Sequence, residues 1–400
     1  MLDTEKCIGC QACVETCPTH AIVFLHDSWG EGRASVNTDR CIMCGSCNRI
    51  CPALNAELNA IPQTVSAAIS NKHRNTGSSG GIFYEIASRF IRDGGVVYGA
   101  AFDKNLKLIH QRATTYEELM PLCKSKYIHS DMAGVYSNIK SDLKHGKKVF
   151  FVGTPCQASA VKNLFANQYK SQLYIADFLC HGTGTQRVFN ACIREEEKRR
   201  GSKITNFCFR AKTRKAEHSF SYMIECEGKK KTISGYDFEF PYYYSFLKYT
   251  IFNDACYSCP YAQNARVGDI TLGDFWGIKH YNSSLDDRDG VSMLAVNSEK
   301  GEWLFGLVQD SCITYSYDLS VASKHNQSYR EPESYPEKKH ELVKILEKDG
   351  AAALVRAMSC PDIKKNLLWV RMPDIIKKLE LELIPKDPND NKNVIMEIRG

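Results

Sequence analysis

Residues 7–18 read CIGCQACVETCP and residues 41–52 read CIMCGSCNRICP. The second stretch repeats the first, setting Cys7, Cys10, Cys13 and Cys17 against Cys41, Cys44, Cys47 and Cys51, with Pro18 and Pro52 behind them. Three thiols at two-residue intervals wrap one face of a compact inorganic ligand, and a proline, with no N–H and a fixed φ, turns the chain away. A tetrahedral zinc site needs one set of four ligands, usually two C-x2-C pairs. It does not call for eight cysteines in two runs of four.

The spacing C-x2-C-x2-C-x3-C-P is that of bacterial two-cluster ferredoxins, where the fourth cysteine of each run ligates the other 4Fe-4S cluster. It assigns Cys7, Cys10, Cys13 and Cys51 to one cluster and Cys41, Cys44, Cys47 and Cys17 to its twin. Between the runs, Ala21–Leu25 and Ala34–Asn37 flank Gly30-Glu31-Gly32 and read as a short hairpin. Residues 1–59 form the expected ferredoxin domain, built to move electrons.

Four hundred residues are too many for that domain alone; 43% apolar and 24% charged residues suit a globular chain with further cores. The first residues hold cluster cysteines where a signal peptide would need an apolar run. Nowhere do eighteen apolar residues run together, so no membrane span is expected and the location reads as cytoplasmic. Eighteen cysteines then imply reduced thiols and metal ligation. The net charge of +6 is mild, and bases alternate with acids, as in Arg194 to Arg200. No nucleic-acid partner follows from it, while an acidic redox partner protein would suit such a surface.

The fold class expected after the ferredoxin domain is α+β or α/β, a mixed α/β domain, divided as residues 60–147, 148–325 and a helical extension with a polar tail, 326–400. Leu54 to Thr76 reads as a surface linker. Gly77-Ser78-Ser79-Gly80-Gly81 leads into a helical apolar face from Ile82 to Ile91, then a strand from Val96 to Phe102. Its free amides would either cradle a phosphate or simply cap a helix. Lys148–Val152, Gln157–Ala166 and Leu173–Leu179 make a βαβ unit with parallel strands. Cys156 and Cys180 follow its two strands and emerge at one sheet edge, where open α/β sheets place ligands. Cys256 and Cys259 form a lone C-x2-C, so these four cysteines are expected to hold a third 4Fe-4S cluster. A four-thiolate zinc site or unligated core cysteines are the alternatives. Cys123 has no assigned role, and helical patterns at Leu367, Leu368, Ile375, Ile376 and Leu379 carry no chemistry.

Seven segments resemble the beta subunits of coenzyme F-420-reducing hydrogenase and formate dehydrogenase, a family that includes hydroxymethyl chlorophyll a reductase. They are Ser78–Gly81, Lys124–Tyr127, Gly153–Gln157, Asp177–Gly182, Phe209–Lys212, Cys256–Cys259 and Gly268–Gly277, the last being the most specific. The resemblance implies an FAD beside a 4Fe-4S cluster, exchanging hydride equivalents with a small-molecule donor or acceptor. It places the FAD phosphates near Ser78, Ser79, Gly80, Gly81 and Lys126, and the isoalloxazine near Thr154 and Asp274. His181 would either protonate a substrate or flavin nitrogen, or donate a structural hydrogen bond beside Cys180. The expected function is a flavin- and iron-sulfur-dependent oxidoreductase working with a ferredoxin or another oxidoreductase subunit. The alternative is a non-catalytic electron-transfer subunit of a larger complex.

Overall fold

The computed structural model describes residues 4–62, 64–212, 220–285 and 288–371. Helices α1 (Ala12–Thr16) and α2 (Ser46–Ile50) occupy matching places in the two cysteine runs. Between them β1 (Ile22–His26) pairs antiparallel with β2 (Gly32–Val36), the hairpin read from the sequence. Each helix is one turn long because a cysteine with extended backbone, Cys17 or Cys51, ends it.

Next come β3 (Thr64–Ser70), α3 (Ile82–Arg92), β4 (Val96–Phe102), β5 (Leu108–Ala113), α4 (Tyr116–Leu119), α5 (Val135–Lys144), β6 (Val149–Gly153), α6 (Pro155–Phe165), β7 (Leu173–Phe178) and α7 (Gln186–Arg200). A separate antiparallel sheet of β8 (Ile204–Phe209), β9 (Ser221–Cys226) and β10 (Ile233–Tyr236) precedes α8 (Pro241–Leu247). The described chain continues through β11 (Ile270–Asp274), β12 (Ser292–Val296), α9 (Glu299–Gly306), β13 (Cys312–Asp318), α10 (Leu319–Lys324), α11 (Glu337–Met358) and α12 (Ile363–Arg371). Ile375, Ile376 and Leu379 lie outside the described residues.

Eight strands form one mixed sheet in the order β13-β3-β12-β11-β7-β6-β4-β5. Four consecutive neighbours, β11, β7, β6 and β4, run parallel. Every residue of β6 is buried, because both faces of a parallel sheet are covered. On one face Phe150 and Val152 pack with Ile86 and Phe90 of α3 and Leu304 of α9. On the other, Phe151 and Ile175 pack with Ile139 of α5 and Val161 of α6. Cys10 and Ala12 join this second cluster, so the amino-terminal module seats on the α5–α6 face.

One expectation fails here. The stretch from Leu54 to Thr76 is not linker throughout, because β3 lies within the sheet between β12 and β13, with Val65, Ala67 and Ala68 buried. Its residues, TVSAAIS, are mostly small and carry little hydropathy, so cross-strand fit rather than bulk apolar area holds the strand.

The carboxyl ends of β6, β7 and β11 deliver Thr154, Cys180 and Asp274 to one edge of the sheet. The loop from Gly77 to Gly81 crosses the same edge: Gly80 N–H donates to Ser292 Oγ at 2.9 Å, and Ser70 N–H donates to Gly80 O at 2.8 Å. A Cβ on Gly80 would fall on Ala68 O and come within 2.8 Å of Ser292 N. Backbone on both sides cannot swing away. Gly80→Ala is therefore expected to destabilise the protein by about 1–3 kcal/mol, the usual cost of overpacking. A melting curve that does not move would show that the loop stands off the sheet.

Candidate functional site

Both cysteine runs coil alike. Gly9 and Met43 hold matching positions with φ of 72° and 55°, and Gln11 and Gly45 with φ of 65° and 70°. Such left-handed residues turn successive amides inward, as anion-binding nests do. Cys7, Cys10, Cys13 and Cys51 line one small cavity, and Cys44 lies within electrostatic reach of Cys17. Ala21 N–H donates to Cys17 Sγ at 3.3 Å, and Ala34 N–H donates to Cys7 Sγ at 3.5 Å. Burial works against a thiolate at Cys17, yet the amides of Thr19 and Ala21 bring its pKa below the usual value. Amide donors to sulfur of this kind also tune iron-sulfur potentials.

The other four cysteines of interest come from three places. Thr154 caps α6, and Cys156 follows Pro155 in its first turn; Cys180 stands just past β7; Cys256 and Cys259 belong to a tight turn ahead of β11. All four line a single cavity of about 640 Å³. Arg266, only 1% exposed, donates to Tyr261 O at 2.8 Å and to Phe178 O at 2.6 Å. It thereby ties the loop after Cys259 to the strand end that carries Cys180. Burial, then the charges of Cys256, Cys156 and Cys259, pushes the Cys180 thiol well up. Burial and Cys259 likewise raise Cys156 to about 11, and burial, Cys259 and Cys156 raise Cys256 to about 12. Deprotonated together, these partly buried cysteines would carry like charges in one cavity, a cost that a cationic centre among them would offset.

Among the described residues no group of three or more His, Cys, Asp or Glu side chains could hold a single metal ion. A zinc site draws its sulfurs to about 2.3 Å of one atom.

A second cavity, of about 1340 Å³, adjoins the first. Ser130, Thr154, Cys180, His181, Gly182 and Thr183 line both. Ser78, Ser79, Gly81, Lys126 and Asp274 line the larger one, whereas Gly80 is packed beneath it against β3 and β12. His181 Nδ1 pairs with Ser328 Oγ at 3.0 Å, and burial lowers its pKa. Lys126 donates to Pro121 O at 2.7 Å and to Cys123 O at 2.6 Å, and burial brings its ammonium down to about 8. Cys123 also lines this cavity, with burial pushing its thiol to about 11.

Two residues given no role on the sequence alone organise this wall. Arg210 forms a bidentate pair with Asp274, at 2.5 and 3.1 Å, and donates to Ser78 O at 3.2 Å. Lys212 donates to Arg74 O at 2.7 Å and to Ser79 O at 2.6 Å, while burial and the neighbouring Arg74 lower it to about 7. Together they tether the loop from Gly77 to Gly81 through the carbonyls of Ser78 and Ser79. Ser79 Oγ and Arg210 Nε remain buried without a hydrogen-bond partner among the described residues. Buried polar atoms left this way cost about 1–3 kcal/mol each unless something else meets them. A polar ligand would do so.

Residues 146–316 match the family model that describes the C terminus of the coenzyme F420 hydrogenase/dehydrogenase beta subunit. Residues 6–55 match that of a 4Fe-4S dicluster domain. Among solved structures, a chain of the F420-reducing [NiFe] hydrogenase complex from Methanosarcina barkeri is similar at 15% identity and a TM-score of 0.43, covering 76% of this chain and 92% of that one. Among curated proteins, peptide chain release factor 1 of Lysinibacillus sphaericus is 38% identical over 92 residues, and that of Geobacillus sp. 39% identical over 86. The chain spans 23% of the length of each of these release factors, and the matches take in 22% of the chain itself.

Proposed function

From a chain that carries the C-terminal domain of the coenzyme F420 hydrogenase/dehydrogenase beta-subunit family behind a 4Fe-4S dicluster domain, we propose an iron-sulfur flavoprotein oxidoreductase. FAD would occupy the larger cavity, a third 4Fe-4S cluster would be held by Cys156, Cys180, Cys256 and Cys259, and the eight amino-terminal cysteines would hold two more. When bound, a flavin takes up two electrons together and releases them singly, while each cluster carries one.

The observation that carries this reading is the wall shared by the two cavities, with Thr154, Cys180 and His181 facing both. It would leave no intervening layer between a ring system and Cys180. The larger cavity exceeds the roughly 300–1,000 Å³ of ordinary small-molecule pockets, room for a dinucleotide with a reactant against it. Lys126 and Lys212, desolvated and bound to carbonyls, supply positive charge where phosphates would lie. Arg210 and Lys212 hold the loop of Ser78 and Ser79 in place, and Ser79 offers its unmet hydroxyl. His181, anchored by Ser328, keeps a ring nitrogen for a reactant. The small-molecule hydride partner would enter this cavity, and a redox protein would meet the amino-terminal module. The rival reading, an electron-transfer subunit without catalysis, leaves the larger cavity and its buried cations without a task.

Anaerobically reconstituted protein is expected to hold about twelve iron atoms and about one flavin per chain. Cys156→Ala should lower the iron to about eight, at four per cluster, with the flavin retained. An unchanged iron count in that variant would remove the third cluster. Wild-type protein with about eight irons and no flavin would leave the rival reading standing.

A further inference from the structure

The two cysteine runs are near copies in sequence and backbone, but their surroundings differ. Cys10 and Cys44 hold the same place in the pattern. Cys10 is 7% exposed and packs in one apolar cluster with Cys156 and Cys259, whereas Cys44 is exposed between Met43, 69% exposed, and Gly45. Building on the function proposed above, we propose that the amino-terminal module has a fixed polarity: electrons cross to the core between Cys10 and Cys156, and the loop from Cys41 to Cys47 is the outer port for a small acidic one-electron carrier protein.

Hydrogen bonds support the inner junction. His129 Nε2 donates to Gly9 O at 3.1 Å, its Nδ1 pairs with Thr183 Oγ1 at 3.3 Å, and Thr183 Oγ1 lies 3.9 Å from Cys256 Sγ. This unbroken chain links the loop of one amino-terminal cysteine set to a core cysteine. Tyr136 O–H donates to Cys10 O at 2.6 Å, and Tyr261 O–H donates to Pro52 O at 2.6 Å. Both tyrosines sit within electrostatic reach of Cys10 and Cys156. Three hydrogen bonds thus cross the junction and fix its spacing, and one-electron transfer depends steeply on spacing.

At the outer port, Ile42 and Met43 are 64% and 69% exposed. From Arg40 to Ala56 the chain carries two arginines and no acid. Arg49 is tied to the loop through Cys44 O at 3.1 Å and Ser46 Oγ at 2.9 Å. An apolar tip with fixed positive charge beside an exposed cysteine fits a brief docking partner of opposite charge. Each transfer oxidises one centre by one electron and reduces the next, with no bond made or broken. The carrier protein is the terminal donor or acceptor.

The test uses partly reduced holoprotein, with Cys13→Ala removing the inner set and Cys44→Ala the outer one. Pulsed EPR should show the core cluster relaxing fast through a neighbouring spin in wild type and in Cys44→Ala, but not in Cys13→Ala. Reduction by a plant-type 2Fe-2S ferredoxin, an acidic probe, should slow at least tenfold in Cys44→Ala and weaken with salt in wild type. Should Cys13→Ala lose both amino-terminal clusters, a soluble dysprosium chelate on wild-type protein still decides. It should broaden the signal missing from Cys44→Ala and spare the coupled pair. With about twelve irons in wild type, coupling lost in Cys44→Ala, or the chelate reaching the coupled pair, overturns the polarity alone. About eight irons in wild type overturns the underlying reading and the polarity with it.

Discussion

Lys339→Met is expected to destabilise the protein by about 3–5 kcal/mol, the penalty for stranding one partner of a buried ion pair. The Lys339 side chain is 1% exposed and donates to Glu31 Oε1 at 2.6 Å, to Asp254 and to Phe252 O. The rings of Trp29, Tyr257 and Tyr335 surround its ammonium at 6.0, 5.5 and 5.6 Å. Glu31 sits at the start of the hairpin's second strand, Asp254 in the turn that carries Cys256, and Lys339 on α11. One cation therefore joins the amino-terminal module, a core cysteine loop and the carboxyl-terminal helices.

Without it, Glu31, 7% exposed on its side chain, keeps among the described residues the Asp254 amide, at 3.0 and 3.1 Å, and Arg33 at 3.8 Å. Burial already raises the Glu31 pKa despite Lys339 beside it, so losing the lysine pushes that carboxyl toward protonation. Adding Glu31→Leu to Lys339→Met should recover part of the loss, because no buried charge is left alone. Anaerobic denaturant titration of the two single variants and the double variant measures the coupling. If Lys339→Met costs under about 1 kcal/mol, the three elements are held by apolar contact alone and the pair is merely tolerated.

What the sequence made legible is what local pattern dictates. The duplicated cysteine runs announce their paired loops because eight ligands at fixed spacing admit few backbones, and the hairpin between them follows. The βαβ unit was readable from Val149, Phe150, Phe151 and Val152, an unbroken apolar run of the kind a doubly covered parallel strand requires. Strand β3 was not readable, since Ala67, Ala68 and Ser70 advertise no burial. Long-range partnerships were also hidden. Glu31 and Lys339 are three hundred residues apart, |i−j| = 308, and nothing near either predicts the other. In the sequence Arg210 stood within the resembling segment Phe209–Lys212, with no role of its own. Its φ of 52°, with Lys124 at 69° on the same cavity wall, marks a backbone held where few side chains go, as at many ligand sites, and only coordinates reveal that.

Arg210→Leu is expected to weaken flavin binding about a hundredfold, or roughly 3 kcal/mol, while Arg210→Lys should recover little of it. The Arg210 side chain is 3% exposed, and its pairing with Asp274 joins the end of β8 to the end of β11. The rings of Phe220 and Trp276 lie 5.2 and 5.6 Å from the guanidinium carbon. A lysine would supply the charge but neither the two parallel bonds nor the planar stack. Loss of Arg210 has two effects that a second variant separates. Asp274 would keep a negative charge on the cavity wall without its bidentate partner, and the Ser78 carbonyl would lose its tether. Arg210→Leu with Asp274→Leu removes the stray charge but not the slack loop. If repulsion dominates, the double variant regains most of the affinity; if the loop dominates, it stays weak. Equilibrium dialysis of free FAD against the apo-flavin protein reads both, and stoichiometric flavin in Arg210→Leu would show that the ligand lies elsewhere. The arrangement argues for the loop, because Lys212 and Arg210 grip it from one side while Gly80 is wedged against β3 and β12 on the other. A loop clamped on both faces loses little freedom when a phosphate arrives, and that freedom is what Arg210→Leu would restore.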